Sequence, residues 1–225
     1  MGQLSSRQEI IHMEVGDPLM RNWLCANMAI RDASKHLAMC VHFHISQMYK
    51  KMRRTIGASV PCSQNCSKLH DGRMNFWCTT CERWRKEILA VCDSQYKLKI
   101  CWSRLNSSQW PTNPYEVARV FIPRAHRLYY KSAEFHEDFR FTLSFIENYN
   151  EIFIPRTLCE KAWQCRGRIK RKNLRMRLND HDLQTTISVL VHLLSILDFE
   201  DTEPVIQNLE ALLNSPDERQ GCTIM

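Results

Sequence analysis

The sequence predicts an all-α protein, a helical bundle that carries a cysteine-rich, irregular insert. Apolar residues recur at three-to-four spacing along most of the chain, as on the buried face of a helix. Proline and glycine bound many of these periodic segments. Residues 57–112 interrupt the pattern and hold four cysteines within twenty positions, so they form the insert.

The N-terminal segment, residues 17–56, is predicted to form one or two amphipathic helices. Leu19 and Trp23 begin its three-to-four spacing of apolar residues. Asp17 and Pro18 are typical of an N-cap followed by the first helical turn. These helices therefore begin close to residue 17.

Within the insert, a short helix is predicted to start near Cys81. The stretch "SQYKLKICW" is predicted to be a short strand, because Tyr96, Leu98 and Ile100 alternate with Lys97, Lys99 and Cys101. A proline-bounded helix in "SSQWPTNPYEVARVFIP" then ends before Pro123.

The helical bundle is predicted over residues 113–214. Four helix candidates follow Pro123: "EDFRFTLSFIENYNEIF", "PRTLCEKAWQCRGRIKR", "DHDLQTTISVLVHLLSIL" and "TEPVIQNLEALLN". Residues 1–16 and 215–225 are expected to be a flexible N-terminus and a flexible tail.

The composition, 44% hydrophobic and 24% charged residues, is that of a soluble globular protein. The longest apolar run, Ile187–Leu197, is well short of the roughly 20 residues that span a bilayer. The N-terminal stretch lacks the apolar region of a secretory signal. A cytoplasmic location is expected, and the eleven cysteines are expected to be reduced.

The insert carries a candidate zinc site. Cys78 and Cys81 have the C-x2-C spacing of a zinc ligand pair, and Cys62 and Cys66 supply a second pair, with His70 as a spare ligand. Such a short polar segment gains its folding energy from the metal. No glutamate or histidine stands where an open catalytic zinc site needs one, so the zinc would be structural.

Two other interpretations of these cysteines stay open at the level of sequence. Phe76, Trp77 and Trp84 can pack the segment without a metal, which would leave the cysteines as buried thiols. Disulfide bonds are the less favoured interpretation, because a reducing compartment is expected.

A basic run at residues 166–177 begins in the helix candidate "PRTLCEKAWQCRGRIKR" and continues beyond it. Clustered cations of this kind can contact the phosphate groups of nucleic acid or of an anionic membrane. The alternative is a solvated helix end whose cations favour the helix C-terminus. The candidate residues are Arg166, Arg168, Lys170, Arg171, Lys172, Arg175 and Arg177.

Both ends of the sequence carry lipidation patterns. "MGQLSS" fits N-myristoylation at Gly2, and "CTIM" fits prenylation at Cys222, although Thr223 is not aliphatic and the residues before it are acidic. Two lipid signals anchor a soluble domain stably, whereas one gives marginal binding. An association with the membrane surface through lipid is therefore an expectation.

Several motifs together resemble a known family. They are "RNWL" at 21–24, "CERWRKEIL" at 81–89, "EVARVFIPR" at 116–124 and "LSFIENYNEIFIPRTLCEKAWQCR" at 143–166. They resemble an uncharacterised, DUF4559-like vertebrate family named after an open reading frame on the human X chromosome. That family is similar to the HEPN-like helical domain of the DAZ-interacting ubiquitin ligase. The resemblance implies an all-α, HEPN-like fold and a homodimer.

The same resemblance offers a test for ribonuclease activity. Active HEPN ribonucleases carry an R-x(4 to 6)-H motif, in which histidine acts as acid or base and arginine holds phosphate. Here Arg171 stands where the histidine would follow Arg166, so the motif is broken. Arg175 and His181 match the spacing, but they lie beyond the expected helix turn. The alternative for His181 is an exposed residue near a helix N-terminus, with Asp180 or Asp182 as the N-cap of that helix.

The sequence shows no catalytic constellation, neither a Gly-rich phosphate loop nor a G-x-S-x-G elbow. A non-enzyme is therefore predicted. The first hypothesis is an intracellular helical adaptor with unknown protein partners, stabilised by zinc and anchored by lipid. The alternative is an RNA-binding HEPN-like protein that uses the basic run and has a degenerate ribonuclease motif.

Overall fold

The computed structural model describes residues 17–57, 60–69, 77–123, 138–171, 176–197 and 199–214. These residues are mostly helical and include an isolated antiparallel bridge but no strand, which confirms the all-α prediction. The described helices are α1 Pro18–Ile56, α2 Cys66–Leu69, α3 Thr79–Ala90, α4 Ser94–Lys97, α5 Pro114–Ala118, α6 Phe139–Asn148, α7 Arg156–Arg171, α8 Asp180–Leu197 and α9 Thr202–Asn214. Three 3-10 turns span Trp102–Arg104, Ser107–Gln109 and Arg119–Phe121.

The chain divides into two compact units. Unit 1 comprises Met1–His36 and Ile154–Met225, and unit 2 comprises Leu37–Phe153. Helix α1 supplies residues to both units. Unit 1 therefore joins the start of α1 to helices that follow it by more than a hundred residues.

The N-terminal segment forms a single helix, α1, of 39 residues. Asp17 begins it as predicted: its Oδ1 accepts the Leu19 N–H at 2.9 Å, and its carbonyl accepts the Arg21 N–H at 3.0 Å. Gly57 ends it with φ 74°, a left-handed conformation that glycine adopts at low cost. Capping at both ends thus sets the limits of the helix.

In unit 1, helix α8 packs against both α7 and α9. Its apolar face, which includes Leu183, Ile187 and Leu190, is buried. The side chain of Asn179 caps it, because Asn179 Oδ1 accepts the Asp182 N–H at 2.7 Å. The cap is therefore Asn179 and not Asp180 or Asp182, so that part of the prediction was wrong.

In unit 2, the predicted strand in "SQYKLKICW" is wrong. Asp93 Oδ1 accepts the N–H groups of Gln95 at 2.9 Å and Tyr96 at 3.0 Å, which starts helix α4 in its place. Tyr96 is buried and its hydroxyl donates to the Val120 carbonyl at 3.1 Å, whereas Leu98 is 93% exposed. The alternation in sequence does not build a sheet face, because a capping carboxylate precedes it.

The proline-bounded helix predicted before Pro123 is shorter than expected. Asn113 Oδ1 accepts the Tyr115 N–H at 2.9 Å and caps α5, which ends at Ala118. The chain continues as the 3-10 turn Arg119–Phe121, whose Val120 and Phe121 are buried.

None of the helices in the described part of the chain combines the length and the hydropathy that a membrane-spanning helix requires.

Candidate metal centre

Four cysteine sulfurs come together in unit 2. The Sγ atoms of Cys62, Cys66, Cys78 and Cys81 all lie within 4.8 Å of one another. Cys66 is the first residue of α2, Cys78 is the N-cap of α3, and Cys81 lies in the first turn of α3. The structure therefore places the two predicted ligand pairs side by side, although eleven residues separate them in sequence.

Backbone hydrogen bonds orient these sulfurs. The Cys78 N–H donates to Cys66 Sγ, and the Cys81 N–H donates to Cys78 Sγ, each at 3.4 Å. The Sγ atoms of Cys62 and Cys66 are also 3.4 Å apart. An N–H group that points at a sulfur favours the thiolate, which is the form that binds a metal.

A polar network supports α2 next to the cluster. Asn65, held at φ 51°, presents its Oδ1 to the Ser107 N–H at 2.9 Å. Ser67 Oγ lies 2.7 Å from the Leu105 carbonyl and 2.9 Å from Asn65 Oδ1. The Cys81 sulfur lies 3.9 Å from the Ser107 carbonyl. Sequence reasoning missed this network, because its polar residues stand about 40 positions apart.

Tryptophan side chains pack on one another in unit 2, and one of them, Trp77, directly precedes Cys78 in the sequence. The Trp77 ring stacks on Trp110 at 6.0 Å and meets Trp102 edge-on at 5.5 Å. The Arg85 guanidinium lies 5.7 Å from the ring centroids of both Trp77 and Trp102. Aromatic packing and sulfur clustering therefore occur together and do not exclude each other.

Burial and hydrogen bonding shift the pKa of the Cys62 thiol in opposite directions. Burial raises the pKa of Cys66 and of Cys81. Burial also acts on Cys62, but hydrogen bonds from Cys66, Gln64 and Cys78 outweigh it and lower the pKa of Cys62 to about 7. Four adjacent thiolates repel one another, so full ionisation of the cluster requires a cation among them.

The donor set fits a metal with an affinity for sulfur. Four sulfurs within this distance of one another match the tetrahedral arrangement of structural zinc sites. Cys62, Cys66 and Cys81 are buried and Cys78 is exposed, so one edge of the cluster faces solvent. None of the ten cysteines that the structure describes is paired in a disulfide, which gives the disulfide interpretation no support. The spare ligand, His70, and Phe76 lie outside the described residues.

The residues of the predicted basic run do not all lie on one helix. Arg166, Arg168, Lys170 and Arg171 belong to α7, Arg177 lies in the following turn, and Lys172 and Arg175 are outside the described residues. Two of these cations form ion pairs: Arg168 Nη1 with Asp182 Oδ1 at 2.9 Å, and Arg177 Nε with Asp17 Oδ2 at 3.0 Å. Lys170 and Arg171 are exposed.

Unit 1 also contains a cavity of about 480 Å³ between α7 and α8, which sequence reasoning missed. Polar residues on both helices line it, at spacings that place them on one face of each helix. That spacing is visible in the sequence and is the signal from which the cavity could have been found.

The lipidation candidates Gly2 and Cys222 lie outside the described residues.

Comparisons with known proteins place the chain in a family. No curated protein and no solved structure matches the chain. A family model described as "Domain of unknown function (DUF4559)" matches residues 16–222, which is most of the chain. The matched region contains the four clustered cysteines and every described helix. The chain therefore belongs to the DUF4559 family.

Proposed function

We propose that the protein is a non-catalytic, intracellular interaction protein whose unit 2 is held together by a structural zinc ion. The observation that carries the proposal is the cluster of Cys62, Cys66, Cys78 and Cys81, with all four sulfurs within 4.8 Å. Soft thiolate ligands in a four-sulfur set select zinc over the oxygen-preferring Mg²⁺ and Ca²⁺.

The non-catalytic part of the proposal follows from the number of sulfur ligands. A catalytic zinc keeps one coordination position for water or substrate, whereas four cysteines fill a tetrahedral zinc completely. Such a zinc supplies folding energy to the segments that carry its ligands. Those segments are the loop before α2 and the first turn of α3, which contain few other buried side chains.

Native mass spectrometry and elemental analysis of protein purified under reducing conditions test the zinc proposal. We expect one zinc per chain, and loss of it in Cys78→Ser. The matched control is Cys101→Ser, since Cys101 is half-buried in the same unit but lies outside the cluster. Equal zinc content in Cys78→Ser and wild type would contradict the proposal, as would a wild-type chain without zinc.

The interaction role is tested by affinity purification from cells that express wild type, Cys78→Ser or Cys101→Ser. A zinc-stabilised binding module should retain the same partners in wild type and Cys101→Ser. Cys78→Ser should lose the partners that need unit 2. Turnover of a substrate by the purified chain, with no stable partner recovered, would favour an enzyme instead.

RNA binding is the alternative function, and the exposure of Lys170 and Arg171 at the end of α7 favours it. The ion pairs of Arg168 and Arg177 leave fewer of the predicted cations for phosphate. Salt-sensitive RNA binding that falls in a Lys170→Gln, Arg171→Gln double variant would support this alternative.

The HEPN-like relationship and the homodimer stay predictions. Light scattering tests the homodimer, because a monomer would have a mass of about 26.6 kDa.

Attachment to a membrane surface is a further part of the proposal and rests on the Gly2 and Cys222 motifs. Intact-mass measurement of protein from eukaryotic cells detects either lipid directly. We expect the added mass to disappear in Gly2→Ala or Cys222→Ser, together with partition into membranes. A mass equal to that of the bare chain would remove the lipid from the proposal.

A further inference from the structure

The cavity between α7 and α8 lies within unit 1 and is separate from the cysteine cluster. Its volume of about 480 Å³ is in the range of small-molecule sites. Helix α7 supplies one wall and helix α8 the other. The polar residues that matter are Lys161, Gln164 and Arg168 on α7, and His181, Gln184 and Ser188 on α8.

These polar residues lie on the solvent side of two packed helices: Arg168 is half-buried, and the other five are exposed. Both sets follow an i, i+3, i+7 spacing, which places each set on one face of its helix. Buried Cys165 and Val189 form part of the lining beneath them. The two helices therefore leave a groove with polar walls over an apolar floor.

The charge of the groove is positive. Lys161 and Arg168 contribute cations to the lining, and no carboxylate is among the described residues that line the cavity. Asp182, 8% exposed, holds Arg168 from outside the lining through Nη1 and Oδ1 at 2.9 Å. This ion pair uses one of the five guanidinium N–H donors and orients the planar group, which leaves further donors for a ligand.

We propose that this groove binds a small phosphate ester. Arg168 and Lys161 would bind the phosphate oxygens, and the amides of Gln164 and Gln184 with the hydroxyl of Ser188 would supply additional hydrogen-bond donors. The volume suits a ligand the size of a mononucleotide. The phosphate can belong to a free ester or to the terminal phosphate of a nucleic acid chain.

Isothermal titration of the full-length protein with inorganic phosphate, adenosine monophosphate and glycerol phosphate tests the proposal. Lys161→Gln should weaken binding of the esters by about tenfold or more, because it removes a charge-assisted contact. Lys170→Gln is the matched control: it makes the same charge change at an equally exposed position of the same helix, but Lys170 does not line the cavity. We expect it to bind like wild type.

A second variant keeps the test independent of Lys161. Gln184→Glu places a carboxylate in the groove without breaking an ion pair, and should also weaken binding; circular dichroism and thermal unfolding verify that each variant folds. Equal weakening by Lys161→Gln and Lys170→Gln would overturn the proposal in favour of a diffuse effect of charge. Failure of wild type to bind any of the three probes or a 5′-phosphorylated RNA oligomer would overturn it as well.

Short RNA oligomers distinguish the two sources of the phosphate, a free ester and the terminal phosphate of a nucleic acid chain. Binding of a 5′-phosphorylated oligomer, but not its unphosphorylated twin, supports the groove and identifies a chain end as the source. Binding of the free esters alone supports the groove and identifies a free ester. Equal binding of both oligomers, with no binding of the esters, overturns the proposal and favours contact with the RNA backbone.

Discussion

The backbone N–H of Cys78 donates to the sulfur of Cys66 at 3.4 Å, across twelve positions of sequence. This hydrogen bond joins the start of α2 to the residue that caps α3. It places the second ligand pair against the first, so the four-sulfur cluster depends on the relative position of two short segments.

Removing the metal should destabilise the protein. If a zinc ion holds the two cysteine pairs of unit 2 together, a zinc chelator should lower the melting temperature of wild type by roughly 5–10 °C. Differential scanning calorimetry measures the shift. Cys78→Ser should melt near the chelated wild type and should not respond to the chelator; a chelator effect of equal size on that variant would contradict the prediction.

The conformation and side chain of Asn65 should both matter for the cluster. Asn65→Gly keeps the left-handed backbone but removes the Oδ1 that accepts from Ser107, so we expect a loss of roughly 1–3 kcal/mol in unfolding free energy. Asn65→Asp keeps the acceptor and should lose less. Chemical denaturation measures both values, and an equal loss would show that the acceptor contributes nothing.

The cap that replaces the predicted strand can be tested directly. Asp93→Ala removes the acceptor for the Gln95 and Tyr96 N–H groups, and should cost about 0.5–2 kcal/mol of unfolding free energy. Asp93→Asn retains a capping oxygen and should stay close to wild type. If Asp93→Ala were as stable as Asp93→Asn, the cap would not be what holds α4.

His36 in unit 1 should make stability depend on pH. Its Nε2 lies 2.8 Å from Thr202 Oγ1, and Nδ1 is buried without a hydrogen-bond partner among the described residues. Burial lowers the pKa of His36 below 6.5, against the opposing charge of Asp201. The unfolded chain therefore binds more protons in that range, so unfolding free energy should fall as pH drops below about 6.5.

Denaturation at a series of pH values checks this prediction with matched variants. His36→Gln should flatten the profile between pH 6.5 and the lower pKa of the folded state. Gln184→Ala, a change at an exposed position of α8 that removes no titrating group, should leave the wild-type profile intact. A wild-type profile in His36→Gln would assign the dependence to another group.

Local signals in the sequence predicted most of the long helices and the clustered cysteines. Helices α8 and α9 span the residues of their sequence candidates, because apolar periodicity and nearby caps agree there. The pairs Cys62–Cys66 and Cys78–Cys81 were found because each zinc ligand pair has a short, recognisable spacing. These features depend on neighbours within a few residues.

Features that depend on distant residues could not be predicted. The alternation at Tyr96 and Leu98 resembled a strand, but the carboxylate of Asp93 and the partner of Tyr96 at Val120 decide for a helix. The α7–α8 groove needs Lys161 and Gln184 to face the same space, which no single helix reveals. A period read along one segment carries no information about its partner.

X-ray absorption at the zinc edge of the purified, reduced protein measures the proposed centre most directly. A centre built from Cys62, Cys66, Cys78 and Cys81 predicts one zinc with four sulfur neighbours at about 2.3 Å. A spectrum with a nitrogen or oxygen neighbour in place of a sulfur would contradict the four-cysteine centre. A protein that retains no zinc would contradict the metal altogether and leave these cysteines as clustered thiols.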